Sequence, residues 1–98
     1  MKVLVEGMWT VGYRQEVFDA LVALGHQRVA FKPDTILVMG DQKNVCLPHL
    51  LGSRKKKVIV LFPKQDDELC QQFRAMGAEA VVASTSELST ALTMALGG

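Results

Sequence analysis

Val58-Ile59-Val60-Leu61-Phe62, set between Lys55-Lys56-Lys57 and Pro63, is an unbroken apolar run of strand length. Side chains of a strand alternate between the two faces of its sheet, so a run apolar at every position must be covered on both sides. That is the condition of a central strand in a parallel sheet. Thr35-Ile36-Leu37-Val38-Met39, ending at Gly40-Asp41, reads the same way. So does the shorter Val3-Leu4-Val5 behind Lys2 and ahead of Gly7, and Ala80-Val81-Val82-Ala83 supplies a further strand. Arg28-Val29-Ala30-Phe31 is a weaker candidate, closed by Lys32-Pro33-Asp34, where the proline favours a turn.

Helical spacing fills the intervals. From Thr10 to Leu24 the apolar positions Tyr13, Val17, Phe18, Leu21 and Leu24 share a face, and Gly25 stands where a helix end takes positive φ. Gln65 to Met76 repeats the pattern with Leu69, Phe73 and Met76. Asp66, Asp67 and Glu68 complement the positive end of its dipole, and Gly77 closes it. Ser84 followed by Glu87 predicts a capping box before a last helix with Leu88, Leu92 and Leu96 as its stripe. A turn or two of helix is expected near Pro48, ending at Gly52.

Strands alternating with helices predict a three-layer α/β sandwich with a mostly parallel sheet of four or five strands. Its 98 residues, 49% hydrophobic and 21% charged, suit one domain spanning residues 1–98. Such a chain buries roughly two-thirds of its unfolded surface, so neither metal nor cofactor is needed for a core. The net charge of +1 gives no field that selects nucleic acid or an anionic membrane. No run approaches the ~18 apolar residues of a membrane span, and the charge at Glu6 interrupts what a signal peptide would continue, so a cytoplasmic location is expected. Cys46 and Cys70 are too isolated for a zinc site, and Cys70, between Leu69 and Phe73, is expected to be a buried hydrophobe.

Several segments resemble the receiver domains of two-component signalling. Lys2-Val3-Leu4-Val5 resembles their first strand and Pro33-Asp34-Thr35-Ile36-Leu37-Val38 the lead-in to their central one. Val58-Ile59-Val60-Leu61 resembles their fourth strand, and Met76-Gly77-Ala78-Glu79-Ala80 the turn before their fifth. The resemblance implies a flavodoxin-like, receiver-like fold. It also implies an acidic pair after strand 1, an aspartate ending strand 3, a hydroxyl after strand 4 and a lysine after strand 5. At the matching positions this sequence has Gly7 and Met8, Met39, Phe62 and Ser84. A hard cation is left without its anionic oxygens, and phosphoryl transfer without charge neutralisation. The family's second helix is missing too, since only Lys32-Pro33-Asp34 separates Phe31 from Thr35. In the family order 2-1-3 that connection would cross strand 1 and climb back a strand length, normally the work of a dozen residues or more.

Ligands of open parallel sheets bind outside the carboxyl ends of the strands. That draws attention to Gly7, Met8, Trp9, Gly40, Asp41, Pro63, Lys64, Ser84, Thr85 and Ser86. Asp41 and Lys64 are either solvated surface charges or a displaced acceptor and its partner, and Ser84 to Ser86 could frame an anion at the last helix. Trp9 either covers the core or contacts a ligand or partner. Arg54-Lys55-Lys56-Lys57 enters the amino end of a strand, opposite that mouth and near Lys2 and Arg28, as a solvated loop or a dock for an acidic surface. No aromatic interleaves it, so nucleic-acid readout is not expected. His26 and His49 have no Ser, Cys or carboxylate at motif spacing, and no catalytic residue, metal ligand or cofactor fingerprint is predicted.

A receiver scaffold without its reactive groups predicts a phosphorylation-independent module of pseudo-receiver type. It would act in signalling by protein contact through its last helix and adjoining edge strand. The alternatives are a small-molecule or anion-binding domain centred on Gly7 to Trp9, Asp41 and Lys64, and a structural subunit of an oligomer.

Overall fold

The computed structural model describes residues 1–6, 9, 11–40 and 57–96. Its elements run β1 (Lys2–Glu6), α1 (Val11–Ala23), β2 (Gln27–Arg28), β3 (Thr35–Met39), β4 (Lys57–Phe62), α2 (Asp67–Ala75), β5 (Glu79–Val82), a 3-10 turn (Thr85–Glu87) and α3 (Leu88–Ala95). The short helix expected near Pro48 lies outside the described residues. The five strands are all parallel, in the order β2-β1-β3-β4-β5, which is the flavodoxin-like order of doubly wound sheets.

The alternation of side chains divides the core in two. Val3, Leu37, Met39, Ile59 and Leu61 point to one face, where α1 supplies Tyr13, Val17 and Leu21 and α3 supplies Leu88, Leu92 and Ala95. Ile36, Val38, Val58, Val60 and Phe62 point to the other, where α2 packs Cys70 and Phe73. Both central strands are therefore dry on both sides, as their unbroken apolar runs require. Cys70 is buried as expected.

The helix ends follow from local chemistry. Asp66 precedes α2 in extended backbone, and its Oδ1 accepts the Leu69 N–H at 3.1 Å. Asp67 and Glu68 lie in its first turn and Arg74 in its last, each complementing the dipole. Gly25 and Gly77 take φ of +81° and +96° after α1 and α2. This geometry lets the His26 N–H reach the Leu21 carbonyl at 2.9 Å and the Ala78 N–H the Phe73 carbonyl at 3.1 Å, closing each helix.

The connection from β2 to β3 departs from expectation in an instructive way. The strand expected over Arg28 to Phe31 is confined to Gln27–Arg28, and residues 29–34 carry no helix. Arg28 and Thr35 both stand opposite Val3, on the two sides of β1. The Val29 N–H donates to the Val3 carbonyl at 2.9 Å and the Asp34 N–H to the Lys2 carbonyl at 2.8 Å. Because β2 ends at the level where β3 begins, there is no strand length to climb back. Crossing β1 spans two inter-strand spacings, about 10 Å, within the reach of six residues at up to ~3.6 Å each. Lys32, at φ +53°, and the buried Pro33 take up the reversal.

Candidate functional site

The order of this sheet reverses between β1 and β3, so the crevice at their carboxyl ends is where a doubly wound fold places a ligand. Among the described residues its boundary includes Glu6 at the end of β1, the half-buried Trp9 and the buried Met39 and Gly40. Trp9 leans inward: its indole Nε1 donates to the Glu6 carbonyl at 2.8 Å, and its ring stacks on Tyr13 at 6.1 Å between centroids with 16° between planes. The Tyr13 hydroxyl donates to the Ala83 carbonyl at 2.7 Å, tying α1 to the end of β5. Burial pushes this phenol up to about 12, so it serves as a neutral donor and not as a base. Of the two alternatives for Trp9, core cover accounts for its described contacts.

At the end of β3, Met39 and Gly40 are buried. The Gly40 N–H donates to the Leu61 carbonyl at 2.8 Å. The Phe62 ring lies against Gly40 on one side and near Phe73 on the other, with 5.9 Å between the ring centroids. Beyond it a depression of about 430 Å³ is lined by Met39, Phe62, Pro63, Lys64, Gln65, Asp66 and Leu69. Lys64 is exposed there. The two acids that follow are engaged locally, Asp66 with the Leu69 N–H and Asp67 with Gln65 Nε2 at 2.7 Å. Asp41, Gly7 and Met8 lie outside the described residues.

The amino end of the last helix holds its own anion. Glu87 Oε1 accepts the Ser84 hydroxyl at 2.7 Å and the Ser84 N–H at 3.3 Å, and Ser84 Oγ lies 3.1 Å from Ser86 Oγ. These bonds to Ser84 hold the Glu87 carboxyl below its ordinary range. Thr85, in the 3-10 turn, is exposed. The donors that would frame a foreign anion at Ser84 are thus taken up by a carboxylate one turn away.

Of the basic run, Arg54, Lys55 and Lys56 lie outside the described residues. Lys57 Nζ bonds the Ala95 carbonyl and stands 3.5 Å from Glu79 Oε2, so this lysine ties the start of β4 to the end of α3 and to β5. A cation on the last carbonyls of a helix is also favoured by the dipole.

A second constellation was not anticipated from the sequence. On the flank of α1 beside β2, the guanidinium carbons of Arg28 and Arg14 lie 4.0 Å and 5.0 Å from the centroid of one ring, Phe18. The signal was present in the spacing of Arg14 and Phe18, four residues apart on a helix. Arg28 could be joined to them only through the strand pairing. Among the described residues no group of His, Cys, Asp and Glu could hold a metal ion, and no helix is long and apolar enough to cross a membrane.

No family model matches the chain, and comparison with curated proteins and with solved structures gives no significant match.

Proposed function

We propose that this domain is a phosphorylation-independent interaction module of pseudo-receiver type, acting in signalling through α3 and the β5 edge. The observation that supports this reading is the apolar character of the described ends of β3 and β4. Met39 is buried at the end of β3, and Phe62 lies over Gly40 at the end of β4. Phosphoryl transfer depends on positioned cations and charge-stabilising donors, which buried thioether and phenyl groups cannot supply.

The same scaffold leaves a surface suited to contact. Among the described residues β5 pairs with β4 alone and stands at the end of the strand order, so its outer N–H and C=O groups face away from the sheet. Val82, at the end of β5, is 41% exposed, and Met94 on α3, which covers the opposite face of the sheet from Ala80 and Phe62, is 79% exposed. Methionine is a deformable apolar group, over-used at binding surfaces.

Proton-nitrogen correlation spectra with and without Mg²⁺ and beryllofluoride test the reading. The expected result is no saturable change at Met39, Gly40, Phe62, Lys64 or Ser84. Saturable shifts at those residues would make the domain a working phosphoacceptor and overturn the proposal.

A further inference from the structure

We propose that Arg14, Phe18 and Arg28 form a binding site for a phosphoryl group, away from the carboxyl ends of the strands and independent of the reading above. The site is assembled by topology. α1 carries Arg14 and Phe18 one turn apart, and the pairing of β2 with β1 sets Arg28 opposite Val3, on the α1 side of the sheet. The ring of Phe18 then receives both guanidinium groups, whose carbons lie within about 9 Å of each other. Stacking on a ring orients a guanidinium plane without using its N–H groups. Among the described residues neither guanidinium has an ion pair or a hydrogen bond, so both donor forks are unspent.

The count of acceptors decides the ligand. A single carboxylate presents two oxygens, which one guanidinium fork satisfies in bidentate fashion. Two forks turned to one ring match a doubly charged group with three terminal oxygens, which is a phosphate monoester near neutral pH. The surroundings leave room for the esterified moiety. A depression of about 570 Å³ on one side adds Gln15, Leu21, Val22 and His26 to the arginines and Phe18. Another of about 380 Å³ adds Leu4, Val5, Val29 and Ala30. His26 Nδ1 is buried without a hydrogen-bond partner and lies on a residue of the first depression. Asp19 lines it too, with its Oδ1 accepting from Gln15 Nε2 at 3.0 Å.

The test is a titration of the whole domain with inorganic phosphate, phenyl phosphate and acetate at constant ionic strength, read on the arginine Nε–H signals and the backbone amides. Phosphate and phenyl phosphate are expected to give saturable shifts at Arg14, Phe18 and Arg28, with acetate giving none. Tighter binding of phenyl phosphate would identify an ester as the ligand, and equal binding would identify the phosphoryl group alone. Arg14→Gln and Arg28→Gln should each weaken binding at least about tenfold, the scale of one lost charge-assisted interaction. Arg74→Gln, whose guanidinium bonds the Ala80 carbonyl elsewhere, should not. Both variants remove exposed side chains, and an unchanged spectral dispersion verifies their fold. Equal shifts with acetate, a response that does not saturate, or binding that survives in both variants would overturn the assignment.

Discussion

The ring of Phe62 stands so close to Gly40 that a β-carbon added there would fall 2.2 Å from its Cε1, with Cδ1 at 2.4 Å and Cζ at 2.5 Å. The end of β3 and the end of β4 are therefore fitted to each other. A hydrogen at Gly40 makes room for a phenyl at Phe62, and that phenyl helps seal the face covered by α2. Gly40 is buried and its φ is not positive, so the constraint on it is one of space and not of backbone conformation.

Gly40→Ala should destabilise the domain by about 1–3 kcal/mol, the usual cost of forcing extra volume into a packed core. Phe62→Leu alone loses ring contact with Phe73 and should also destabilise. The double variant should be more stable than the sum of the two losses, because the smaller side chain frees the space that the alanine needs. Urea unfolding of all four proteins measures this coupling. Strict additivity would show that the two residues do not share a constraint.

Tyr13→Phe leaves the Ala83 carbonyl without its buried donor and should cost about 1–3 kcal/mol. The pH dependence has a definite sign. A phenol raised from 10.0 to about 12 in the folded state keeps its proton more tightly than in the unfolded chain. Its contribution is complete below pH 10 and is lost as pH rises toward 12. The chain has a single tyrosine, so tyrosinate absorbance reports this group alone. Native protein should titrate near 12, urea-unfolded protein near 10, and the loss of stability across that window should be absent in Tyr13→Phe.

Where residue pattern and physical constraint coincide, the fold is legible in the sequence. The apolar runs at Val3, Thr35 and Val58 are strands in the sheet as their length and β-branched content predict, and Gly25 and Gly77 mark the helix ends where positive φ occurs. The extent of β2 was not legible, because it depends on the level at which Arg28 meets Val3, a relation between distant residues that Arg28-Val29-Ala30-Phe31 does not encode locally. The candidate site shows the same division. Ser84 and Glu87 announce their contact by spacing, and the structure makes it through the Glu87 carboxylate. The inward lean of Trp9 onto Tyr13 and the meeting of Arg28 with Phe18 exist only once the chain is folded.

Glu87→Gln should weaken the start of α3 by removing the charge that holds the Ser84 hydroxyl and N–H. The Glu87 carboxyl is lowered in the folded state. Its stabilising contribution is therefore present above the ordinary glutamate range and lost as pH falls through the depressed value. The difference in stability between native protein and Glu87→Gln should be steady near neutrality and close as pH falls below the ordinary glutamate range. Thermal unfolding of both proteins across that range checks it. A difference that does not change with pH would mean the contact acts without its charge.

Val82 and Met94 test the proposed contact surface. Both are exposed, so Val82→Lys with Met94→Lys should change folding stability by no more than about 0.5 kcal/mol. A lysine on an edge strand also opposes strand addition, since an added chain would have to bury its charge. Sedimentation velocity over a wide concentration range should show association in the native domain and its loss in the double variant. Identical association in the two proteins would move the contact off α3 and β5, to a surface such as the flank of α1, where Val11 and Val22 are also exposed.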